Sequence, residues 1–144
     1  MTAKQYLSKY RHCMSDIAFY EKLKEQAAID IASVSSPQLE EKVQTSPEND
    51  PVCQLVIELE RNIARYNIEI LNCRVKMNII ENQIYSIREF SDDYYKLLTY
   101  RYMMGMDWNE IAQKMYKSYG IVTHLHSPAL QKFDEMHGEF YKFD

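Results

Sequence analysis

Residues 52 to 90 contain neither glycine nor proline, and their apolar side chains recur at helical spacing. Alternating steps of four and three residues connect Leu59, Ile63, Tyr66, Ile70, Cys73, Met77, Ile80, Ile84 and Ile87. This heptad seam indicates one long helix that begins at Pro51 and ends near residue 88. At roughly 1.5 Å per residue the helix would be about 55 Å long, so we expect it to project as an arm.

A second apolar row lies on nearly the opposite side of the same helix, at Ala64, Ile68, Leu71, Val75 and Ile79. Two apolar rows need two partners. A helix folded back antiparallel can cover one row, and another copy of the chain or the C-terminal domain can cover the other. We expect a homo-oligomer formed through the long helix, with a monomeric compact bundle as the alternative. Its order stays open, because isoleucine at both kinds of core position does not favour a simple parallel dimer.

A first helix is predicted over about residues 3–31, from apolar side chains such as Leu7, Tyr10 and Leu23 at helical spacing. The stretch 32–50 is rich in Ser, Pro and acidic side chains and predicts a loop of about nineteen residues. Asp50 is the expected N-cap of the long helix, with Pro51 at its first position. Residues 1–90 therefore predict a long antiparallel helical hairpin, or coiled-coil arm.

Residues 91–144 predict a separate domain of three helices. Ser91 caps the first helix, which ends at Gly105; Asp107 caps the second, "WNEIAQKM". Ser118 caps the third helix near Tyr119 after a short turn. This order predicts a helix-turn-helix, in which the second helix crosses the DNA backbone and the third presents its first turns to the major groove.

Inside this domain, the last two helices each have an apolar side, and we expect these sides to form the core. Pro128 predicts that the third helix either kinks there or ends near His126. The aromatic tail that follows is expected to pack back on the arm. The inward residues are Ile111, Ala112, Met115, Val122, Leu125 and Ala129.

The composition fits an all-α protein. It is 46% hydrophobic and 26% charged, with only 3 Gly and 4 Pro. The N-terminus has no continuous apolar segment of the kind a signal peptide needs, and no apolar run approaches a membrane span, so we expect a cytoplasmic protein without membrane contact. Cys13, Cys53 and Cys73 form no C-x-x-C pair and are expected to be small buried hydrophobes.

The stretch "YYKLLTYRYMMGMDWNEIAQKMYKSYGIVTHLHSPAL" resembles the promoter-reading C-terminal region of sigma factors. It is more similar to the sigma-like regulators of temperate phages of Gram-positive bacteria, the RinA/ArpU type. "TAKQYL", "VSSP" and "VQTSPEND" extend the resemblance over nearly the whole chain. The positions that carry the motif are Leu97, Leu98, Arg101, Tyr102, Trp108, Glu110, Ile111, Ala112, Ser118, Val122, His126, Ala129 and Leu130.

The resemblance implies a phage or prophage transcriptional regulator, an activator, that binds double-stranded DNA at a promoter and contacts host RNA polymerase. The DNA-binding residues it implies are Lys117, Ser118, Tyr119, Gly120, Ile121, Thr123 and His124. The family usually has Arg or Lys among these exposed positions, and this chain differs there. The alternative hypothesis is an oligomeric helical interaction protein whose helix-turn-helix no longer binds DNA.

The charge balance makes any DNA contact weak or salt-sensitive. The net charge is −4, and residues 91 to 144 carry six Lys or Arg against eight Asp or Glu, a balance of −2. Affinity for DNA depends strongly on cations that neutralise phosphates. Between Tyr116 and Phe133, however, there are two Lys and no acid, which predicts a mildly positive reading face.

No motif indicates catalysis, a metal or a cofactor. The sequence has no glycine-rich phosphate loop and no clear pairing of a nucleophile with a base. His124 and His126 are two residues apart and so do not share a helix face, which argues against a metal site. We expect His126 to be a hydrogen-bonded core residue and the protein not to be an enzyme.

Overall fold

The computed structural model describes residues 1–34 and 50–142, in which every regular element is helical. The predicted all-α class is therefore confirmed. The elements are α1 (Ala3–Val34), α2 (Pro51–Ser86), a 3-10 turn (Ile87–Glu89), α3 (Asp92–Leu98), a π-helical turn (Thr99–Met103), α4 (Trp108–Met115) and α5 (Tyr119–Tyr141).

The ends of the two long helices lie close to their predicted positions. α1 continues to Val34, so residues 32–34 are helical and the prediction of a loop from residue 32 was wrong there. The rest of that predicted loop, residues 35–49, lies outside the described residues. Asp50 is confirmed as the cap of α2, because its Oδ1 accepts the Val52 N–H at 2.9 Å. Pro51 starts the helix, where a missing N–H removes no intrahelical hydrogen bond.

The chain forms two compact units, each with a part of both long helices. The first unit comprises Met1–Met14 and Arg74–Asp144, and the second comprises Ser15–Cys73. The first unit contains α3, α4 and α5 together with the beginning of α1 and the end of α2. The predicted division at residue 90, with a 1–90 arm and a 91–144 domain, stays a prediction.

In the second unit the predicted seam of α2 faces α1, and the opposite row is exposed. Ile70 and Cys73 of the seam are buried, and the Tyr66 ring lies 6.0 Å from the Tyr20 ring between centroids. On the other side of α2, Ile68 is 58% exposed and Leu71 is 60% exposed. The described residues of the second unit thus cover one of its two apolar rows.

In the first unit α1 runs antiparallel to the end of α2. The Tyr6 hydroxyl donates to Gln83 and the Tyr10 hydroxyl donates to Glu81, both at 2.6 Å, so later residues of α1 meet earlier residues of α2. Buried Leu7 joins the isoleucines of α2 in one apolar core with side chains of α3, α4 and α5.

The aromatic tail is part of α5 and packs on the beginning of α1. The Tyr141 ring stacks on the Tyr6 ring with centroids 4.5 Å apart and planes 12° apart. Phe133 lies earlier in α5 on the same face of the helix and is fully buried. Its ring centroid is 6.0 Å from the centroids of both the Tyr6 and the Tyr141 rings. The Tyr141 hydroxyl donates to Asp134 at 2.7 Å, so this buried polar group has a partner.

α5 continues through Pro128 to Tyr141. The alternative in which the third helix ends near His126 was therefore wrong. Proline removes the hydrogen bond that the carbonyl of His124 would accept inside a helix. His124 and Pro128 are both exposed, so water can solvate that carbonyl, and the buried residues Ala129 and Phe133 hold the later turns in place. No helix in the described ranges is long and apolar enough to cross a bilayer.

Replacing Tyr141 by Ala should lower the free energy of unfolding by about 3–5 kcal/mol, because it opens a cavity and removes the stack on Tyr6. Phe140→Ala is the matched control, since Phe140 is adjacent, is 55% exposed and contacts the Tyr6 ring only edge-on, with centroids 6.1 Å apart. We expect less than about 1 kcal/mol from the control. Urea unfolding followed by circular dichroism measures both, and equal losses would contradict the packing of the tail.

Candidate nucleic-acid interface

Side-chain caps define the turn between α4 and α5. Asp107 precedes α4, and its carboxylate accepts the Glu110 N–H at 2.9 Å, a bond that lowers the pKa of Asp107. Ser118 precedes α5, and its hydroxyl oxygen accepts the Ile121 N–H at 3.3 Å. Both predicted caps are confirmed, as is the cap of α3, where Ser91 accepts the Tyr94 N–H at 3.2 Å. The turn itself is therefore only residues 116–118 long.

The motif residues that carry the resemblance mostly build the core below this turn. Leu130 is a motif residue that is partly buried against that core, as are Met115 and Leu125 of the predicted inward set. The fully or nearly fully buried members are Leu97, Leu98, Tyr102, Ile111, Ala112, Val122 and Ala129.

Two polar motif residues are also used inside the unit. His126 is confirmed as a hydrogen-bonded histidine, because the Tyr102 hydroxyl lies 2.7 Å from its Nε2. The His126 ring also meets the edge of Trp108, with centroids 4.7 Å apart. Arg101 covers the other side of this cluster, with its guanidinium 4.5 Å from the Trp108 ring and a hydrogen bond of 3.1 Å to the carbonyl of Met106.

Burial lowers the pKa of His126 to about 4, and the nearby cations Arg101 and Lys4 act in the same direction. Between pH 6.5 and 4 the unfolded chain binds a proton at this residue that the folded chain does not. The contribution of neutral His126 to stability is therefore present above pH 6.5 and is lost as the pH falls towards 4.

We therefore expect the free energy of unfolding to fall between pH 6.5 and 4, and to fall less in a His126→Gln variant. Denaturant unfolding at several pH values measures both slopes. Ser127→Gln is the control, since it changes an exposed neighbour of His126 without removing a titratable group, and it should keep the wild-type slope. Identical slopes for wild type and His126→Gln would show that His126 is protonated in the folded chain as readily as in the unfolded chain.

The seven residues predicted to bind DNA lie together on the turn and the first two turns of α5. Tyr119 is 53% exposed and Ile121 is 51% exposed, while Lys117 and Thr123 are half-buried. A Cβ added at Gly120 would meet no described atom within 4 Å, so this backbone is open to a ligand. The remaining members, Ser118 and His124, are exposed.

Several of these side chains already have partners. The Ser118 hydroxyl caps α5, and the Thr123 hydroxyl lies 3.0 Å from the carbonyls of both Tyr119 and Gly120. Such bonds leave an oxygen that can still accept or donate once more. Tyr119, Ile121 and His124 are the members whose side chains are exposed and make no hydrogen bond or ion pair with another described residue.

Lys117 is held by an acid from another helix. Its Nζ lies 3.4 Å from the carboxylate of Asp93, in the first turn of α3. The neighbouring Asp92 instead pairs with Lys96 at 2.9 Å and with Arg88 at 3.8 Å. The Lys117–Asp93 pair could not be predicted from the sequence, because the two residues lie on different elements, with α4 between them. The one cation among the seven predicted residues is therefore partly neutralised.

Tyr116 is a surface feature that the sequence did not reveal. It has φ 55° and ψ 41°, the left-handed conformation, and ends α4. Its side chain is 96% exposed. For a non-glycine residue this conformation is unfavourable by roughly 1–2 kcal/mol. Helices that end in this way usually have glycine at this position. Tyr116 lacks that signal, so nothing in the sequence distinguishes it from the other eleven tyrosines.

Tyr116→Gly should raise the free energy of unfolding by about 0.5–1 kcal/mol, because glycine adopts this conformation without strain. Tyr119→Gly serves as the control: Tyr119 begins α5 with a helical backbone, so glycine there should give no gain. Thermal unfolding by calorimetry compares the two variants. A loss of stability in Tyr116→Gly would mean that its ring makes contacts that stabilise the fold.

Positive charge is concentrated in the unit that contains the turn. The first unit carries twelve Lys or Arg and ten Asp or Glu, a formal balance of +2. The second unit carries five Lys or Arg and eleven Asp or Glu, a balance of −6. Three of the first unit's cations, Lys4, Lys9 and Arg11, come from the beginning of α1, which has no acid up to Met14.

Lys4 is a candidate interface residue that sequence reasoning missed. It is exposed, and with Ser127 and Gln131 of α5 it lines one shallow recess. Its charge reaches the His126 side chain, where it helps to lower the pKa. No ion pair in the described residues involves Lys4. Only folding brings it beside α5, since more than a hundred residues separate the two in the chain.

Other polar clusters in the described residues have structural explanations. Ser86 and His137 are 2.8 Å apart, but the Ser86 hydroxyl lies 2.6 Å from the carbonyl of Gln83, to which it donates. The hydroxyl is therefore not oriented as a nucleophile activated by histidine. Within residues 1–34 and 50–142 no three His, Cys, Asp or Glu side chains cluster as metal ligands would.

No protein-family model matches the chain, and no curated protein or solved structure is significantly similar to it.

Proposed function

We propose that this chain is a cytoplasmic transcriptional regulator of the phage type that binds duplex DNA sequence-specifically and activates transcription. The observation that carries the proposal is the arrangement of α5. Its first two turns are capped, follow a three-residue turn and have one exposed side that carries Tyr119, Ile121 and His124, while Val122 on the other side is buried in the core. A reading helix needs this division, because base edges are reached only by uncovered first turns.

The proposed roles follow from the chemistry of each side chain. Tyr119, Gly120, Thr123 and His124 face base edges, where hydroxyl and imidazole groups exchange hydrogen bonds and Gly120 permits close approach. Ile121 provides apolar contact, as to a thymine methyl group. Ser118, at the N-terminus of α5, lies where helix amides attract a phosphate.

Cations around the turn would hold the DNA backbone. Lys114 is exposed in the last turn of α4, Lys117 lies in the turn, and Lys4 lies beside α5. Phosphate contacts fix the orientation of a protein on the duplex and give most of the salt dependence of binding. In keeping with the resemblance, host RNA polymerase is the proposed second partner of the promoter-bound protein.

The Lys117–Asp93 pair makes a specific prediction about affinity. Asp93→Asn should free Lys117 for a phosphate, tighten duplex binding several-fold, and steepen the slope of log K against log salt by about 0.9. Asp92→Asn removes the same charge from the same helix turn but leaves Lys117 paired, so it should have a smaller effect. Fluorescence anisotropy at several salt concentrations, on duplexes selected by the wild-type protein from a random pool, measures both variants.

A Lys117→Glu, His124→Glu double variant should lose binding and serves as the negative control. Binding by wild type that does not respond to salt would contradict the proposal, as would failure to enrich any duplex at low salt. Equal affinities of Asp93→Asn and Asp92→Asn would remove Lys117 from the phosphate contacts while leaving the other roles to be tested by the double variant.

One observation favours the second candidate, an interaction protein whose helix-turn-helix has lost its DNA contacts. Tyr116, Tyr119 and Ile121 are all more than half exposed at the start of α5, and aromatic side chains are enriched in protein interfaces. Under this alternative the wild-type protein enriches no duplex at any salt concentration. The Lys117→Glu, His124→Glu double variant keeps its fold.

A further inference from the structure

The second unit has an apolar row on α2 that no other described residue covers, and we call it the outer row. It consists of Ile57, Ala64, Ile68 and Leu71, and all four side chains are exposed. Ile57 is 45% exposed, and the values for Ile68 and Leu71 are higher. Successive members are separated by seven, four and three residues, so they share one side of the helix. This side is opposite the buried seam that contains Ile70 and Cys73.

The outer row has the spacing of a two-stranded coiled coil. With Ile68 at heptad position a, Ile57, Ala64 and Leu71 occupy position d, and the two preceding a residues, Gln54 and Arg61, are polar. Isoleucine occurs at both core positions, but the central pair of Ile68 at a and Leu71 at d is the combination that favours two parallel strands. A polar residue at a fixes the register at some loss of stability. Arg61 fits that last role, because its long side chain can lie along the apolar row with its charge in water.

The flanking charges complement a second copy of the same helix. Glu60 occupies position g, and Arg65 occupies position e of the next heptad. In a parallel pair, position g of one strand faces position e of the next heptad on the other, so Glu60 meets the Arg65 of a second copy, and this occurs twice by symmetry. The next such pair is Asn67 with Asn72, which is neutral and brings no repulsion.

These charges are available for such contacts. Glu60 and Arg65 are exposed, and no ion pair in the described residues involves either of them. They are five residues apart on one helix, which is too far around its surface for a pair of the i, i+4 type. An apolar row with complementary charges on its two sides is the pattern that selects a partner strand.

We infer that the outer row is a homodimer interface, on which α2 of a second copy of this chain packs in parallel with Ile68 and Leu71 at its centre. The two Glu60–Arg65 contacts across the interface set the direction and register of the pair. The inference does not depend on the proposed function, because it concerns the second unit and its test contains no DNA.

Sedimentation equilibrium of the full chain tests the interface. We expect a monomer–dimer equilibrium, which Ile68→Lys shifts towards monomer with a dissociation constant at least about tenfold higher, since a charge at the centre of an apolar seam is not solvated. Phe19→Lys is the matched control: Phe19 is also 58% exposed in the second unit but lies on α1, so its substitution should leave the equilibrium unchanged. Circular dichroism should show wild-type helicity for both, because each side chain is exposed.

Charge exchange tests the direction of the pair. Glu60→Arg and Arg65→Glu should each weaken the dimer by bringing like charges together, and the double variant should restore it. A chain that is monomeric at every concentration overturns the inference, as does a dimer that neither Ile68→Lys nor the second variant Leu71→Lys weakens. A dimer weakened by Ile68→Lys but not restored by the double exchange overturns the parallel register.

Discussion

The stack of Tyr141 on Tyr6 is the contact on which the geometry of the first unit depends. It attaches the last turn of α5 to the first turns of α1, and Phe133 adds a second aromatic layer from the same side of α5. α5 has 23 residues, and its first turns add only Val122 and part of Leu125 to the core. Because the aromatic residues fix the distal part of the helix, the other side of its first turns stays exposed.

The fold could be predicted from the sequence wherever local chemistry decides the structure. Heptad spacing gave α2, and side-chain caps at Asp50, Ser91, Asp107 and Ser118 gave four helix starts, because a polar side chain bonded to free amides acts over three residues. The effect of Pro128 on the helix was ambiguous, because it depends on contacts distant in the chain rather than on local chemistry. The local penalty of a proline is fixed, but whether a helix tolerates it depends on burial of Ala129 and Phe133, which pattern alone does not reveal.

The candidate site was predictable as a position but not as a chemical environment. The resemblance placed seven residues on one surface, and the structure brings them together there. Three features around them arise only from folding: the left-handed Tyr116, the Asp93 carboxylate on Lys117, and Lys4 from α1 beside α5. None of the three has a signature in sequence, because each depends on residues that are distant in the chain or on a backbone conformation that tyrosine rarely adopts.

The charge distribution also changes how the acidic composition is interpreted. A net charge of −4 predicts repulsion from DNA if it is spread evenly, but the second unit carries −6 by formal count and the first unit carries +2. Electrostatic attraction of a phosphate depends on the charges within about one Debye length of it, roughly 8–10 Å. The charges near the turn, all of which belong to the first unit, are therefore the relevant ones.

The turn between α4 and α5 combines two features that disfavour stability with an ion pair that adds little to it. Tyrosine occupies a left-handed position, glycine occupies the second residue of a helix, and a lysine is paired with an acid on the surface, where such a pair stabilises little. Elsewhere in the first unit the local choices agree with the fold, including capped helix starts, buried aromatic rings and a partnered His126. Local conflicts that cluster at one exposed place are typical of functional surfaces. This clustering agrees with the proposal of a binding surface at this turn, for either duplex DNA or a protein. The two partners differ in their effect on the Lys117–Asp93 pair. A DNA phosphate competes with Asp93 for the charge of Lys117, whereas an apolar protein surface does not.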